Sequence, residues 1–115
     1  MRKMFVEFTS RNEKGQNPVE MALKVVAKAC NFELVETSAE AELILTDSPP
    51  KALDYLKEHE SAVIIIGLDP FTRKNVESGA RSLEKAYAGR VYVRPLLDLE
   101  GEKNLVVCLM EGEFK

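Results

Sequence analysis

The sequence predicts an α/β fold in which a mainly parallel, five-stranded sheet is covered by helices on both faces. Five short apolar segments alternate with segments of helical periodicity, the order typical of parallel sheets with helical crossovers. The fourth segment contains Val63-Ile64-Ile65-Ile66, which is apolar on both faces, as in strands near the centre of a parallel sheet. No linker, repeat or low-complexity stretch divides the chain, so we expect residues 1–115 to form one domain.

The predicted elements are short and are bounded by turn or cap residues. The strands span residues 4–8, 32–36, 42–46, 62–66 and 90–96. A helix is predicted over residues 49–59, facing inward through Ala52, Leu53 and Leu56. Another begins at Asp69-Pro70 and ends at Gly89. It is marked by apolar residues at spacings of four, three and four, namely Val76, Ala80, Leu83 and Tyr87.

The first helix has the clearest start signal. Asn17 is the predicted cap, Pro18 occupies the first helical position, and Glu20 completes a capping box. Between Val19 and Cys30 the only charged residues are Glu20, Lys24 and Lys28, and their spacing of four places them on one narrow stripe. We therefore expect this stripe to be the solvent-exposed edge of a helix that otherwise lies on the sheet.

The last apolar segment is ambiguous between a strand and a helix. Val106 and Val107 are adjacent, and a turn containing Gly101 precedes them. These features favour an extra edge strand over residues 104–110, with a helix as the alternative.

The composition excludes several classes of function. The net charge is −3, and acidic and basic residues are interspersed. The sequence contains no basic patch of the kind that would predict nucleic-acid binding. The longest apolar runs are too short to cross a membrane. Cys30 and Cys108 are expected to be free thiols, which predicts a cytoplasmic protein. His59 has no second ligand at metal-binding spacing, so no metal site is expected.

Polar residues gather where the predicted strands end. Because open α/β sheets bind ligands at the carboxyl ends of their strands, these residues are the candidate site. They are Thr9, Ser10, Asp47, Ser48, Asp69 and Arg94.

Two of these positions carry a resemblance to a known family. Asp47 ends the third strand, and Arg94-Pro95 ends the fifth. Over residues 3–97 the chain resembles the receiver domain of two-component response regulators, a three-layer, flavodoxin-like fold. The resemblance implies that Asp47 corresponds to the phosphoryl acceptor and that Arg94 replaces the lysine that contacts the phosphoryl group.

The chain also departs from the receiver pattern. Thr9 and Ser10 stand where the family has an acidic pair for Mg²⁺, and Gly67 replaces a Ser or Thr. Phosphoryl transfer depends on positioning and charge neutralisation, so we expect Asp47 to accept no phosphoryl group and Mg²⁺ to be disfavoured. The alternative structural role for Asp47 is to cap the helix predicted over residues 49–59. Arg94 is expected to pair with Asp47 or Asp69 and to close the empty site.

The expected function is therefore that of a non-enzymatic pseudo-receiver. It would act as a regulatory interaction or dimerisation module that binds a protein partner, through residues 75–88 and 91–93. Two alternatives remain open. One is a small-anion- or nucleotide-binding flavodoxin-like domain using Thr9, Ser10, Ser48 and Arg94. The other is a true phospho-receiver using Asp47.

Overall fold

The structure, a computed structural model, describes residues 2–69, 74–97 and 101–114 and confirms the predicted fold class. All five strands are parallel, in the order β2-β1-β3-β4-β5. The strands are β1 Lys3–Glu7, β2 Glu33–Leu34, β3 Leu43–Thr46, β4 Val63–Leu68 and β5 Val91–Pro95. The helices are α1 Pro18–Ala29, α2 Pro49–Glu58, α3 Lys74–Ala86 and α4 Leu105–Met110, with a single 3₁₀ turn at Ser38–Glu40.

Two apolar cores lie on opposite faces of the sheet. On one face, α1 and α4 cover alternate residues of β1, β3 and β4, including Val6, Leu45 and Ile65. On the other face, α2 and α3 cover Ile44 and Ile66. Alternate side chains of a strand point to opposite faces, so β3 and β4, covered on both sides, are almost entirely apolar, with Thr46 as the buried polar exception.

The central strands confirm the reading of the Val-Ile-Ile-Ile run. Ile64 and Ile65 have no exposed surface, and β4 lies between β3 and β5. In β5, Val91 and Val93 face α2 and α3, while Tyr92 packs against the core beneath α1 and α4. Tyr92 therefore projects from the opposite face, as its alternation with the two valines predicts.

Helix α1 begins as predicted, and Lys24 and Lys28 of its charged stripe are exposed, but Glu20 is buried and the exposed face also includes apolar residues. The side chain of Asn17 caps the helix by accepting a hydrogen bond from Glu20 N at 3.0 Å. Glu20 itself is only 5% exposed, while the apolar Met21 and Val25 are 51% and 68% exposed. The spacing alone could not show this, because the β1–α1 connection folds over Glu20 and provides it with partners.

Residues 104–110 form helix α4, so the predicted edge strand is wrong. Asn104 caps the helix by accepting from Val107 N at 2.9 Å. Leu105, Cys108 and Leu109 recur at helical spacing and are all buried. Their burial beside α1 outweighs the strand preference of the two valines, because β propensity depends on context.

The free edge of β5 also offers less to an added strand. The backbone N–H of Val93 donates to Glu84 Oε2 at 2.8 Å, so this group is already satisfied by α3.

The prediction that the two cysteines are free thiols is confirmed, since neither Cys30 nor Cys108 is in a disulfide. The predicted helix start at Pro70 and part of the turn before Gly101 lie outside the described residues. Within the described part of the chain, no helix has the length and apolarity required to cross a membrane.

Candidate functional site

The strand register brings three candidate positions to one level of the sheet. Thr46 pairs with Ile66, and Gly67 pairs with Arg94. Asp47 follows Thr46, so Asp47, Gly67 and Arg94 stand at the same height on three neighbouring strands. With adjacent strands about 4.8 Å apart, the backbones of Asp47 and Arg94 are separated by roughly 10 Å.

The Asp47 carboxylate is bound by the connection that follows β1. Its Oδ1 accepts hydrogen bonds from Thr9 N at 2.8 Å and Thr9 Oγ1 at 2.9 Å. Its Oδ2 accepts from Ser10 N at 3.3 Å. Both oxygens are therefore engaged, and Asp47 joins the β1–α1 connection to the end of β3. The helix-cap role belongs to the next residue, since Ser48 Oγ accepts from Lys51 N at 3.3 Å.

Glu20 holds the same connection from the other side. Its Oε1 accepts from Phe8 N at 2.8 Å, and its two oxygens receive two hydrogen bonds of 2.9 Å from Arg11. Asn17 Nδ2 adds a hydrogen bond to Ser10 O at 2.7 Å. Burial raises the pKa of Glu20, but the bonds from Arg11 and Phe8 outweigh this, so its pKa lies below the ordinary value. Glu20 and Asn17 thus hold the connection in the position from which Thr9 and Ser10 donate to Asp47.

The space beside Gly67 is filled by apolar side chains. A Cβ atom at position 67 would lie 2.7 Å from Leu96 Cδ2 and 3.5 Å from Leu105 Cδ2. A side chain at position 67 would therefore have to displace Leu96. Where a receiver has a hydroxyl that reports phosphorylation, this chain has a leucine methyl group.

We expect Gly67→Ser to lower the free energy of unfolding by about 1 kcal/mol, at the low end of overpacking effects, because half-buried Leu96 can rotate away. Urea unfolding of wild type and variant measures the change. Gly79→Ser is the matched control, since a Cβ there meets nothing within 4 Å. Equal losses in the two variants would contradict the close packing of Leu96 on Gly67.

Arg94 does not make the predicted contact with Asp47 or Asp69. Its guanidinium forms ion pairs with Glu113 and, at 3.5 Å, with Glu84. It also stacks on two rings, 5.4 Å from the centroid of Tyr92 and 5.7 Å from that of Phe114.

The contacts of Arg94 come from segments that sequence spacing could not place near it. Glu113 and Phe114 follow α4, and the formation of α4 is what brings them to β5. The predicted closed-site pair is therefore replaced by a pair between β5 and the C-terminal segment.

A depression of about 560 Å³ lies at the carboxyl ends of the strands. Ser10, Asp47 and Asp69 line it together, as predicted, while Arg94 lines a separate hollow of about 210 Å³. The other lining residues are Phe8, Arg11, Asn12, Gln16, Asn17, Pro18, Val19, Val76 and Leu96. Two carboxylates at this position oppose the binding of an anion, and the geometry gives the anion-binding alternative no support.

The arrangement also lacks a second carboxylate beside Asp47 from β1. Glu7 Oε1 instead accepts from Lys51 Nζ at 3.0 Å and from Tyr55 Oη at 2.9 Å, on the face covered by α2. Among the described residues, no group of three or more His, Cys, Asp or Glu side chains could hold a metal ion. Glu7 falls within the first predicted strand, and the structure places its side chain on the face of the sheet that α2 covers.

Sequence reasoning missed the residues that shape this site. The predicted elements leave Arg11 between the first strand and the first helix with no assigned role, and they assign Glu20 only to a capping box. One signal was present: an acid three residues after a cap and an arginine in the preceding connection can pair around a helix start. The role of Glu113 had no such signal, because it depends on the course of the chain after α4.

The strand order and the helices on both faces define an α/β protein with flavodoxin-like topology. Comparisons with protein-family models, with curated proteins and with solved structures found no match to this chain.

Proposed function

We propose that this protein is a pseudo-receiver: a regulatory module that binds a protein partner and transfers no phosphoryl group. The observation that carries the proposal is the engagement of both Asp47 carboxylate oxygens by Thr9 and Ser10. A phosphoryl acceptor needs one carboxylate oxygen free for in-line attack, and a bound divalent cation needs others. In this chain the same oxygens hold the β1–α1 connection in place.

Two further features support the absence of phosphoryl chemistry. Glu7 is committed to Lys51 and Tyr55, so it brings no second negative charge to the side of Asp47. Leu96 occupies the space beside Gly67 that a signalling hydroxyl would need. Without these parts, a phosphoryl group on Asp47 would lack both charge neutralisation and a group to report its presence.

An interaction role is supported by the distribution of exposed apolar side chains. We define the outer surface by Met21, Ala22, Val25 and Ala29 of α1 together with Met110 of α4, all of which are exposed. The resemblance implied a different face, residues 75–88 and 91–93. Helix α3 exposes mainly small or polar side chains there, so we assign partner binding to the outer surface. A cytoplasmic location, as expected for free thiols, is part of this proposal.

We expect no phosphorylation of Asp47. After incubation with acetyl phosphate and Mg²⁺, intact-mass spectrometry should show no gain of about 80 Da. A known phosphorylating receiver in the same tube is the positive control, and Asp47→Asn is the matched variant. A stoichiometric gain that disappears in Asp47→Asn would reject the pseudo-receiver proposal in favour of the phospho-receiver alternative.

A further inference from the structure

We propose that the depression at the carboxyl ends of the strands binds a small organic ammonium ligand, a protonated primary amine attached to an apolar group. The ammonium group lies against Asp47, and the apolar group fills an adjoining groove between α1 and α4. Such a ligand is a second binding activity beside the proposed binding of a protein partner, and either activity can fail without the other.

The depression lies where the chain leaves two neighbouring strands in opposite directions. Strands β1 and β3 are paired and parallel, but β1 continues into α1 on one face of the sheet and β3 into α2 on the other. Connections that diverge in this way leave a crevice, in which open α/β sheets bind their ligands. The volume of about 560 Å³ is typical of small-molecule sites, and Asp47 stands at this point.

The charge that the depression offers to a ligand is negative. Asp47 accepts hydrogen bonds only from neutral donors of Thr9 and Ser10. In residues 2–69, 74–97 and 101–114, no lysine or arginine forms an ion pair with it. Arg11 also lines the depression, but its guanidinium is paired with Glu20. The start of α1 adds only about half a positive charge, so the full charge of Asp47 decides the sign.

Three acceptors in the depression match the three N–H groups of a primary ammonium. A carboxylate has about four lone-pair positions, and Asp47 uses three, so its Oδ2 can accept one more donor. The hydroxyl of Ser10 and the side-chain amide of Gln16 line the same depression, and neither has a hydrogen-bond partner in the part of the chain that the structure describes. Ammonium binding therefore leaves the bonds from Thr9 and Ser10 to Asp47 in place.

An apolar groove continues from the depression along α1 toward α4. It has a volume of about 260 Å³, enough for a phenyl group, and shares Pro18, Val19 and Leu96 with the depression. Its remaining walls are apolar as well: Ala22, Leu23, Leu105 and Val106. Removal of an apolar group from water is favourable in proportion to its area, so this groove adds affinity that a bare ammonium ion lacks. The ligand therefore carries its positive and apolar groups a few bonds apart.

Titration of the isotope-labelled full chain with phenethylamine, followed by the backbone amide NMR signals, tests the site. Phenethyl alcohol and phenylpropionate are the neutral and anionic counterparts of this probe. We expect saturable shifts centred on Ser10, Gln16 and Val19, with a roughly millimolar dissociation constant for a probe of this size. The alcohol should bind at least about tenfold more weakly, because it loses the charged hydrogen bond to Asp47, and the carboxylate should not bind measurably.

Two variants test the polar contacts. Asp47→Asn keeps an oxygen for Thr9 but removes the charge, and it should raise the dissociation constant of phenethylamine about tenfold. Asp54→Asn, on α2 and outside the depression, is the matched control for net charge. Ser10→Ala removes only a hydroxyl without a protein partner and should raise the constant about threefold. The same spectra show whether each variant is folded, and Ser10→Ala tests the contact if Asp47→Asn is not.

A matched pair of valines tests the groove. Val19 lines both cavities, whereas Val25, an exposed valine of the same helix, lines neither. Val19→Ser should raise the dissociation constant of phenethylamine about threefold, and Val25→Ser should leave it unchanged.

Equal affinities for the amine and the alcohol, or no saturable shifts up to tens of millimolar, would overturn the inference. An amine affinity that is unchanged in both Asp47→Asn and Ser10→Ala would do the same, and an unchanged affinity in Val19→Ser would reject the groove as the apolar subsite. Tighter binding of the carboxylate would restore the anion-binding alternative instead. Phosphoryl transfer is measured by intact mass, so a failed titration leaves the proposed function standing.

Discussion

Replacing Glu20 with alanine is expected to lower the free energy of unfolding by about 2–3 kcal/mol, the largest effect of any polar substitution proposed here. The carboxylate is buried and accepts from Phe8 N at 2.8 Å. Its removal leaves that buried N–H without an acceptor. Arg11 contributes less to the loss, because its side chain is 38% exposed and can return to water.

Urea unfolding of Glu20→Ala and two comparison variants separates these contributions. Glu20→Gln keeps an oxygen for Phe8 N and should cost about 1 kcal/mol. Lys24→Ala is the matched control: it removes another cation near Glu20, 4.0 Å away and 46% exposed, and should cost less than about 0.5 kcal/mol. Equal losses for Glu20→Ala and Lys24→Ala would show that the hydrogen bond to Phe8 contributes nothing.

The pH dependence provides an independent check on Glu20. Its pKa in the folded protein lies below the ordinary value of 4.5. A depressed folded-state pKa stabilises the protein above the unfolded-state value, and this stabilisation is lost as the pH falls through the folded-state value. The difference in unfolding free energy between wild type and Glu20→Gln should therefore shrink between about pH 6 and pH 3. A difference that stays constant over this range would contradict the ionised state of Glu20.

Arg94→Ala is expected to destabilise the protein by about 1.5–3 kcal/mol. The side chain of Arg94 is 23% exposed, and its removal leaves the partly exposed Glu113 without its cation and takes from Glu84 one of its two cations, the other being Arg81. It also removes the contacts of the guanidinium with the rings of Tyr92 and Phe114, each of which contributes roughly 0.5–1 kcal/mol. The hydrogen bond from Arg94 lowers the pKa of Glu113 by more than burial raises it. The pKa of Glu113 therefore lies below its ordinary value.

Double-mutant cycles identify the true partner of Arg94. Arg94→Ala and Glu113→Ala should show a coupling of at least about 0.5 kcal/mol, because the side chains are in contact. Arg94→Ala and Asp47→Ala should be additive, because Asp47 is bound by Thr9 and Ser10 instead. Lys103→Ala, which removes an exposed ion pair with Glu111, is the stability control. Coupling between Arg94 and Asp47 would restore the closed-site pair expected from the sequence.

The location of the candidate site could be predicted from the sequence, but the hydrogen-bond partners of its residues could not. Parallel strands end at one edge of a sheet, so Ser10, Asp47 and Asp69 had to approach one another once the strands were recognised. Which donors reach Asp47 depends on how the β1–α1 connection folds, and that conformation is set by the buried carboxylate of Glu20 and its hydrogen bonds with Phe8 and Arg11. No residue spacing within the connection encodes this pair by itself.

Local sequence patterns are sufficient to predict the parallel sheet, the buried run of β4 and the Asn17 cap of α1. Each follows from local chemistry: a period of apolar residues, a side chain that accepts from a helix start, and strands that must be covered on both faces. The same local signals determined that no acidic pair follows β1.

Three features depend on long-range packing instead: the helical conformation of residues 105–110, the burial of Glu20 and the partners of Arg94. In each case the deciding energy comes from groups distant in sequence. Helix α4 is favoured by burial of Leu105 and Leu109 beside α1, which local preference for valine in strands cannot outweigh. Because α4 forms, Glu113 lies beside β5. Arg94 therefore forms its ion pair with Glu113 and not with Asp47.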